Sequence, residues 1–139
     1  MEELLRQRGA EIRRRHDGVP LSTWLGSEPR SVRVNALLID DEVDALVSEA
    51  RARAHENFDT LKIKVGALPP EQDAFRLNAV RAAVGPNVRI RVDGNGAWSE
   101  GEARTRLEAF APVRLEYVEQ PVPASDFQGL RKLRSLARI

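Results

Sequence analysis

The sequence predicts an α/β chain of four consecutive βα units, half of a (β/α)8 TIM-type barrel. Three observations carry this reading. Segments of alternating apolar residues and segments of helical apolar spacing follow one another four times, with a period of about 28 residues. Each alternating segment leads into a helix and not into a returning strand, which requires parallel pairing through right-handed crossovers. Each strand also carries one apolar face and one polar or charged face. An open sheet covered by helices on both sides would bury those charges against apolar helices, whereas a barrel interior opening onto a site employs them.

Residues Glu2 to Arg15 are good helix formers, and Gly18 followed by Pro20 supplies a stop. The segment VPLSTWLGSEPR reads as a loop or short turn, with Leu21, Trp24 and Leu25 available to anchor it. The first strand is expected in SVRVNALL, with Val32, Val34 and Ala36 on one face and Ser31, Arg33 and Asn35 on the other. Asp40 or Asp41 caps a helix carrying Val43, Leu46, Val47, Ala50 and Ala54. The second strand is LKIKV, in which Leu61, Ile63 and Val65 oppose Lys62 and Lys64. Pro69 and Pro70 open the next helix, striped by Ala74, Leu77, Val80 and Val84 and ended by Gly85 and Pro86. The third strand, VRIRVD, sets Val88, Ile90 and Val92 against Arg89, Arg91 and Asp93. Ser99 and Glu102 form a capping box for a helix with Ala103, Leu107 and Phe110. LEYVEQPV is the fourth strand, and Ser125 or Asp126 caps a last helix with Phe127, Leu130, Leu133 and Leu136.

With 139 residues, 42% hydrophobic and 31% charged, the chain suits a globular domain with a modest core. Lys+Arg at 22 nearly balance Asp+Glu at 21, so no overall field draws nucleic acid or an anionic membrane, and neither is expected as a partner. The run Arg13, Arg14, Arg15, His16 reads as a solvated helix face, since no aromatic or glycine pattern accompanies it. The absence of cysteine excludes disulfides and thiolate metal sites. No apolar run approaches the roughly 18 residues of a membrane span, and the charged start MEELLRQRG has no signal-peptide character. A soluble, cytoplasmic protein is expected.

Barrel enzymes take their reacting groups from the C-terminal ends of several strands. The last polar-face residues here are Asn35, Lys64, Asp93 and Glu119. Two carboxylates on adjacent strands, with no histidine or cysteine beside them, make an oxygen-rich site suited to Mg2+. Lys62 and Lys64 on the neighbouring strand suit proton transfer, with like-charge proximity and the metal lowering their pKa toward neutrality. Together the set suits abstraction of a proton next to a carboxylate. Each piece also has a plainer reading. The lysines could guard an edge strand, DGNG could be a hairpin turn, and Glu119, like Glu116, could be a surface carboxylate. A capped helix after DGNG argues against the hairpin, and register across consecutive strands argues for the site. His16 and His55 are isolated and read as surface residues, and the glycines of DGNG fit neither phosphate-binding pattern.

The strings VPLSTWLG, SVRVNALL, FDTLKIKVG, IRVDGNGAWS and LEYVEQPV, in that order, resemble the enolase superfamily in its muconate-lactonizing subgroup, and there bacterial o-succinylbenzoate synthases. The resemblance extends over essentially the whole chain. It implies a Mg2+-dependent lyase that dehydrates a succinyl-hydroxycyclohexadiene carboxylate to o-succinylbenzoate in menaquinone biosynthesis. Related members racemise N-acylamino acids, epimerise dipeptides or cycloisomerise muconate, and sequence alone separates them poorly. Carried over residue by residue, the resemblance implies Lys64 as the base with Lys62 its electrostatic neighbour. Asp93 and Glu119 become metal ligands, and Asn95 a supporting group beside the metal.

That family adds a capping domain, a third metal carboxylate on the fifth strand and a second catalytic lysine on the sixth. Residues 1–139 are expected to hold one helix of the capping-domain region with its connecting loop (1–29) and a (βα)4 half-barrel (30–139). The Mg2+ site is then incomplete, and the chain alone should act weakly or not at all on a small-molecule carboxylate. A racemase or epimerase of the same superfamily, and a non-catalytic half-barrel folding or assembly module, are the alternatives. Open edges of such a sheet predict a homo-oligomer, two copies pairing so that the KIK strand of one faces the lysines of the other. Light scattering should then report a dimer at micromolar concentration, and a monomer alone would contradict the pairing.

Overall fold

A computed structural model describes Gly18, residues 20–28 and residues 31–136. The helix expected over Glu2–Arg15, with its basic run and His16, lies outside the described residues. The chain divides into two compact units, residues 1–33 and 34–139. In the first, Leu21–Trp24 form a short helix, α1. Trp24 and Leu25, expected as anchors, are exposed, Leu25 by 62%.

The second unit is a four-stranded parallel sheet in the order β1 (Ala36–Leu38), β2 (Thr60–Lys64), β3 (Arg89–Asp93), β4 (Tyr117–Glu119). Each strand is followed by a helix: α2 (Val43–His55), α3 (Pro70–Val84), α4 (Glu100–Phe110) and α5 (Phe127–Leu136). This is the βα alternation the sequence predicts. Leu61 pairs with Ala36 and Ile90, and Ile63 with Leu38 and Val92, so the apolar faces of the first three strands align in rows. Those rows bury against Leu46 and Ala50 of α2, Leu77 and Val80 of α3, and Ala103 and Phe110 of α4. Each such leucine, isoleucine, valine or phenylalanine side chain, taken fully out of water, contributes roughly 1.5–3 kcal/mol, and this layer is what holds the helices to the sheet.

The helix ends follow the expected chemistry with small shifts. The Ser99–Glu102 capping box is present in both directions. Pro70 opens α3, and Gly85, at φ 77°, closes it in a conformation that costs glycine little. At α2 the cap is Glu42, not Asp40 or Asp41; Asp40 instead accepts the Glu42 N–H at 2.9 Å. Asp126 rather than Ser125 serves α5, accepting the Gly129 N–H at 2.8 Å. Along α5 Leu133 is buried, whereas Phe127 and Leu130 are exposed.

Two arginine arrangements fix the ends of the sheet. Arg81 donates to the carbonyls of Gly85, Val88, Val113 and Arg114, tying together the approaches to β3 and β4. At the opposite end Asp73 is fully buried and pairs with Arg76 at 2.8 Å and Arg106 at 2.7 Å, while accepting the Gly66 N–H at 2.9 Å. Arg76 reaches the Asp40 carbonyl and Arg106 the Leu68 carbonyl, so one buried carboxylate links the loops after β1 and β2 to α3 and α4. Removing one member of such a group leaves a buried charge uncompensated, which costs on the order of 3–5 kcal/mol.

The first strand departs from expectation. It spans Ala36–Leu38, whereas residues 31–35 lie outside the sheet, with Val32 and Val34 exposed by 75% and 66%. Register explains this: Ala36 and Leu38 are the residues that match Leu61 and Ile63, and only they can share the buried row.

Candidate active site

Parallel pairing fixes which side chains share the face away from the helices. Lys62 is level with Leu37 on β1 and Arg91 on β3, which in turn pairs with Tyr117. One step toward the strand ends, Lys64, Asp93 and Glu119 form the next row. The KIK, RVD and YVE segments therefore bring two ammonium groups and two carboxylates to the C-terminal end of the sheet.

The side chains meet there. Lys64 Nζ lies 2.7 Å from Asp93 Oδ2 and donates to Asn95 Oδ1 at 2.7 Å. Lys62 Nζ lies between the carboxylates, 3.0 Å from Asp93 Oδ2 and 2.8 Å from Glu119 Oε2. Asp93 is 2% exposed, and its other oxygen accepts the Asn95 N–H at 3.0 Å. Burial alone would raise the Asp93 pKa, but the hydrogen bonds from Lys64, Lys62 and the Asn95 N–H outweigh it and lower the group to about 2. Glu119 and then Asp93 raise the pKa of Lys62. This is opposite to the expected depression by a neighbouring like charge: the hydrogen bonds of Lys62 to the two carboxylates govern it.

The loops that carry these groups are locked to one another. Asp93 ends β3, and Asn95 takes a left-handed φ of 49°, which turns its side chain back toward Lys64. Hydrogen bonding continues past the strands, with Gly94 N–H donating to the Glu119 carbonyl at 3.0 Å and Gly96 N–H to the Gln120 carbonyl at 2.7 Å. Trp98, 3% exposed, lies beneath Gly66 and Gly94. A Cβ at Gly66 would fall 2.8 Å from the indole Nε1, and one at Gly94 3.1 Å from the ring. These two glycines let the indole approach the backbone that follows Lys64 and Asp93. DGNG is thus a strand-to-helix loop and not a hairpin turn, because the capped helix α4 follows it.

The structure brings together Lys62, Lys64, Asp93, Asn95 and Glu119, all singled out from sequence. It does not bring Asn35. That residue precedes β1, and Leu37, half exposed, is the β1 residue on the site face. Glu116 is exposed, as expected, and pairs with Arg91 and Arg89. His55 is exposed, as expected. Sequence reading overlooked the Asp73–Arg76–Arg106 group and Trp98. The only available signals were Asp73 and Arg76 one helical turn apart and the two glycines opposite a tryptophan.

Comparison with known proteins gives the chain a family. Residues 45–139 match the model of the Enolase C-terminal domain-like family, and the chain belongs to that family. It is 38% identical over 117 residues to a hydrophobic dipeptide epimerase of Enterococcus faecalis, covering 84% of this chain and 33% of the epimerase. The solved dipeptide epimerase of E. faecalis V583, complexed with Mg and the dipeptide L-Leu-L-Tyr, superposes with a TM-score of 0.81 at 34% identity, covering 93% of this chain and 36% of that one. The o-succinylbenzoate synthase of Thermosynechococcus elongatus BP-1, with Mg in its active site, superposes at 0.71 with 29% identity, covering 80% and 35%. The chain spans about a third of the length of these curated relatives and solved structures. The four parallel βα units are accordingly those of the enolase barrel fold.

The relatives' Mg raises the question of whether this chain has donors for such a cation. Among the described residues no three His, Cys, Asp or Glu side chains gather as a metal cluster. Two carboxylates do converge, and they already share one positive charge, the Lys62 ammonium. Hard carboxylate oxygens directed at one cation fit Mg2+. No helix among the described residues is long and apolar enough to cross a membrane.

The depressed Asp93 pKa has a measurable consequence. Its ionised form stabilises the fold fully above the ordinary carboxylate pKa of 3.8, and that contribution is lost as pH falls through about 2. Asp93→Asn should therefore be less stable than the unsubstituted protein at pH 7 by about 2 kcal/mol, and the gap should close between about pH 4 and pH 2. Urea unfolding across that range checks it.

Proposed function

We propose that this half-barrel is the proton-transfer part of a Mg2+-dependent enzyme that acts next to a substrate carboxylate, with Lys64 exchanging the proton. The observation that carries this reading is the meeting of Lys62 and Lys64 with Asp93 and Glu119 on one face. Lys64 is the more open amine, its side chain 36% exposed, and Asp93 and Asn95 hold its Nζ from two sides. A substrate entering above the sheet would meet that Nζ first. Lys62 sits deeper and carries positive charge beneath the same point, which favours an anionic substrate group there. Asp93 and Glu119 would hold the Mg2+, which would stabilise negative charge developing on the substrate carboxylate.

Within this reading the substrate we favour is a dipeptide with apolar side chains, and the reaction its epimerisation at a carbon next to a carbonyl. Two observations support it. The E. faecalis relative acts on hydrophobic dipeptides by its name, and the site row carries Leu37 and Tyr117, an apolar and an aromatic surface, beside Lys62. Dehydration to o-succinylbenzoate is the second reading, supported by the fold shared with the T. elongatus synthase.

The chain should exchange the substrate's α-proton for deuterium, slowly and only with Mg2+, when incubated in heavy water with L-Leu-L-Tyr. Lys64→Met should lower that rate by on the order of 100-fold or more. Proton NMR of the dipeptide reads both. Dehydration of the cyclohexadiene substrate without dipeptide exchange would favour the second reading. An absence of both activities would leave a half-barrel that folds or assembles without catalysis.

A further inference from the structure

Lys62 and Lys64 have unequal positions in the cluster. Lys64 is level with Asp93 and Glu119, touches only Asp93 of the two carboxylates, and has Asn95 as a second acceptor. Lys62 starts one row lower, and its side chain extends toward the strand ends to bridge both carboxylates. Its own row supplies no counter-charge. Leu37 is apolar, and Arg91 is positive and already engaged by Glu116 and the Tyr117 ring. Among the described residues, the bridge between Asp93 and Glu119 is thus the anionic berth of the Lys62 ammonium, and it is also where these carboxylates could share a divalent cation.

We propose that Lys62 is a built-in counter-ion that occupies the shared cation position of Asp93 and Glu119 and must swing out before a divalent ion can bridge them. The inference rests on the Mg2+ reading above and adds a competitor to it. With Lys62 in place, the four side chains sum to zero charge, so a divalent ion entering beside both ammonium groups meets their repulsion. Displacing Lys62 opens the position and moves its ammonium toward the interior of the site. Cation binding and the displacement of Lys62 are then one event.

The test is Mn2+ binding, read as free Mn2+ by electron paramagnetic resonance, on the whole chain at neutral pH. Lys62→Met should bind Mn2+ tighter than the unsubstituted protein by on the order of tenfold or more, because it removes both the occupant and its charge. Lys62→Gln, which keeps a polar side chain and is a second route to a folded variant, should move the same way. Lys62→Arg retains the charge and should show no gain, and Lys64→Met, which vacates only one contact, should gain less than Lys62→Met. Equal or weaker binding by both Lys62→Met and Lys62→Gln, with Mn2+ still taken up by the unsubstituted chain and lost in Asp93→Asn, would overturn the competitor role while leaving the cation site standing. No Mn2+ uptake by any variant, or uptake unaffected by Asp93→Asn, would overturn the cation reading and this inference with it.

Discussion

Four charges on the inner face of a parallel sheet set the terms for this protein. A strand covered on both faces would not tolerate Lys62 and Lys64, and a carboxylate as buried as Asp93 would not stay ionised alone. Each is admissible because of the others: Asp93 is held by both ammonium groups, and Lys62 by both carboxylates. Charge balance therefore does what apolar packing does on the opposite face, where Leu61, Ile63, Ile90 and Val92 meet the helices. It also imposes register, because a slip of one residue would turn every charge toward the helix layer.

The surrounding structure holds that balance in place. Beyond the strand ends, the β3 loop continues to pair with the β4 loop, which fixes Asp93 against Glu119. Beyond β2, Gly66 is gripped from above by the Asp73 carboxylate and closed from below by the Trp98 indole. Asp73 is itself neutralised by Arg76 and Arg106, so a second buried charge cluster, outside the sheet, positions the loop that follows the lysine strand. The protein uses ion pairs twice within a short distance, once to fix loops and once to present reactive groups.

The strand faces and the row of charges are legible in the residues. Period-two alternation in LKIKV and RVD fixed both the faces and the rows, since no other register buries the apolar set. The capping box and the paired prolines gave the starts of α4 and α3. The first strand was misplaced because SVRVNALL alternates over its whole length, and alternation cannot say which part finds a partner; the neighbouring strand decides that. Asn35 was lost to the site by the same shift. The direction of the Lys62 pKa could not be read from spacing either, because it depends on which carboxylates the ammonium reaches to hydrogen-bond. Asp73 escaped notice because an acidic residue in the first turn of a helix ordinarily faces water and favours the helix dipole.

Asp93 and Glu119 are proposed to form one cation position at the end of the sheet. Amide NMR during addition of substoichiometric Mn2+ tests it directly, since a bound paramagnetic ion broadens the nearest resonances first. Gly94, Asn95 and Gln120 should broaden before all others. Broadening centred elsewhere, such as at Asp40 and Asp41, or spread evenly over the surface, would contradict it.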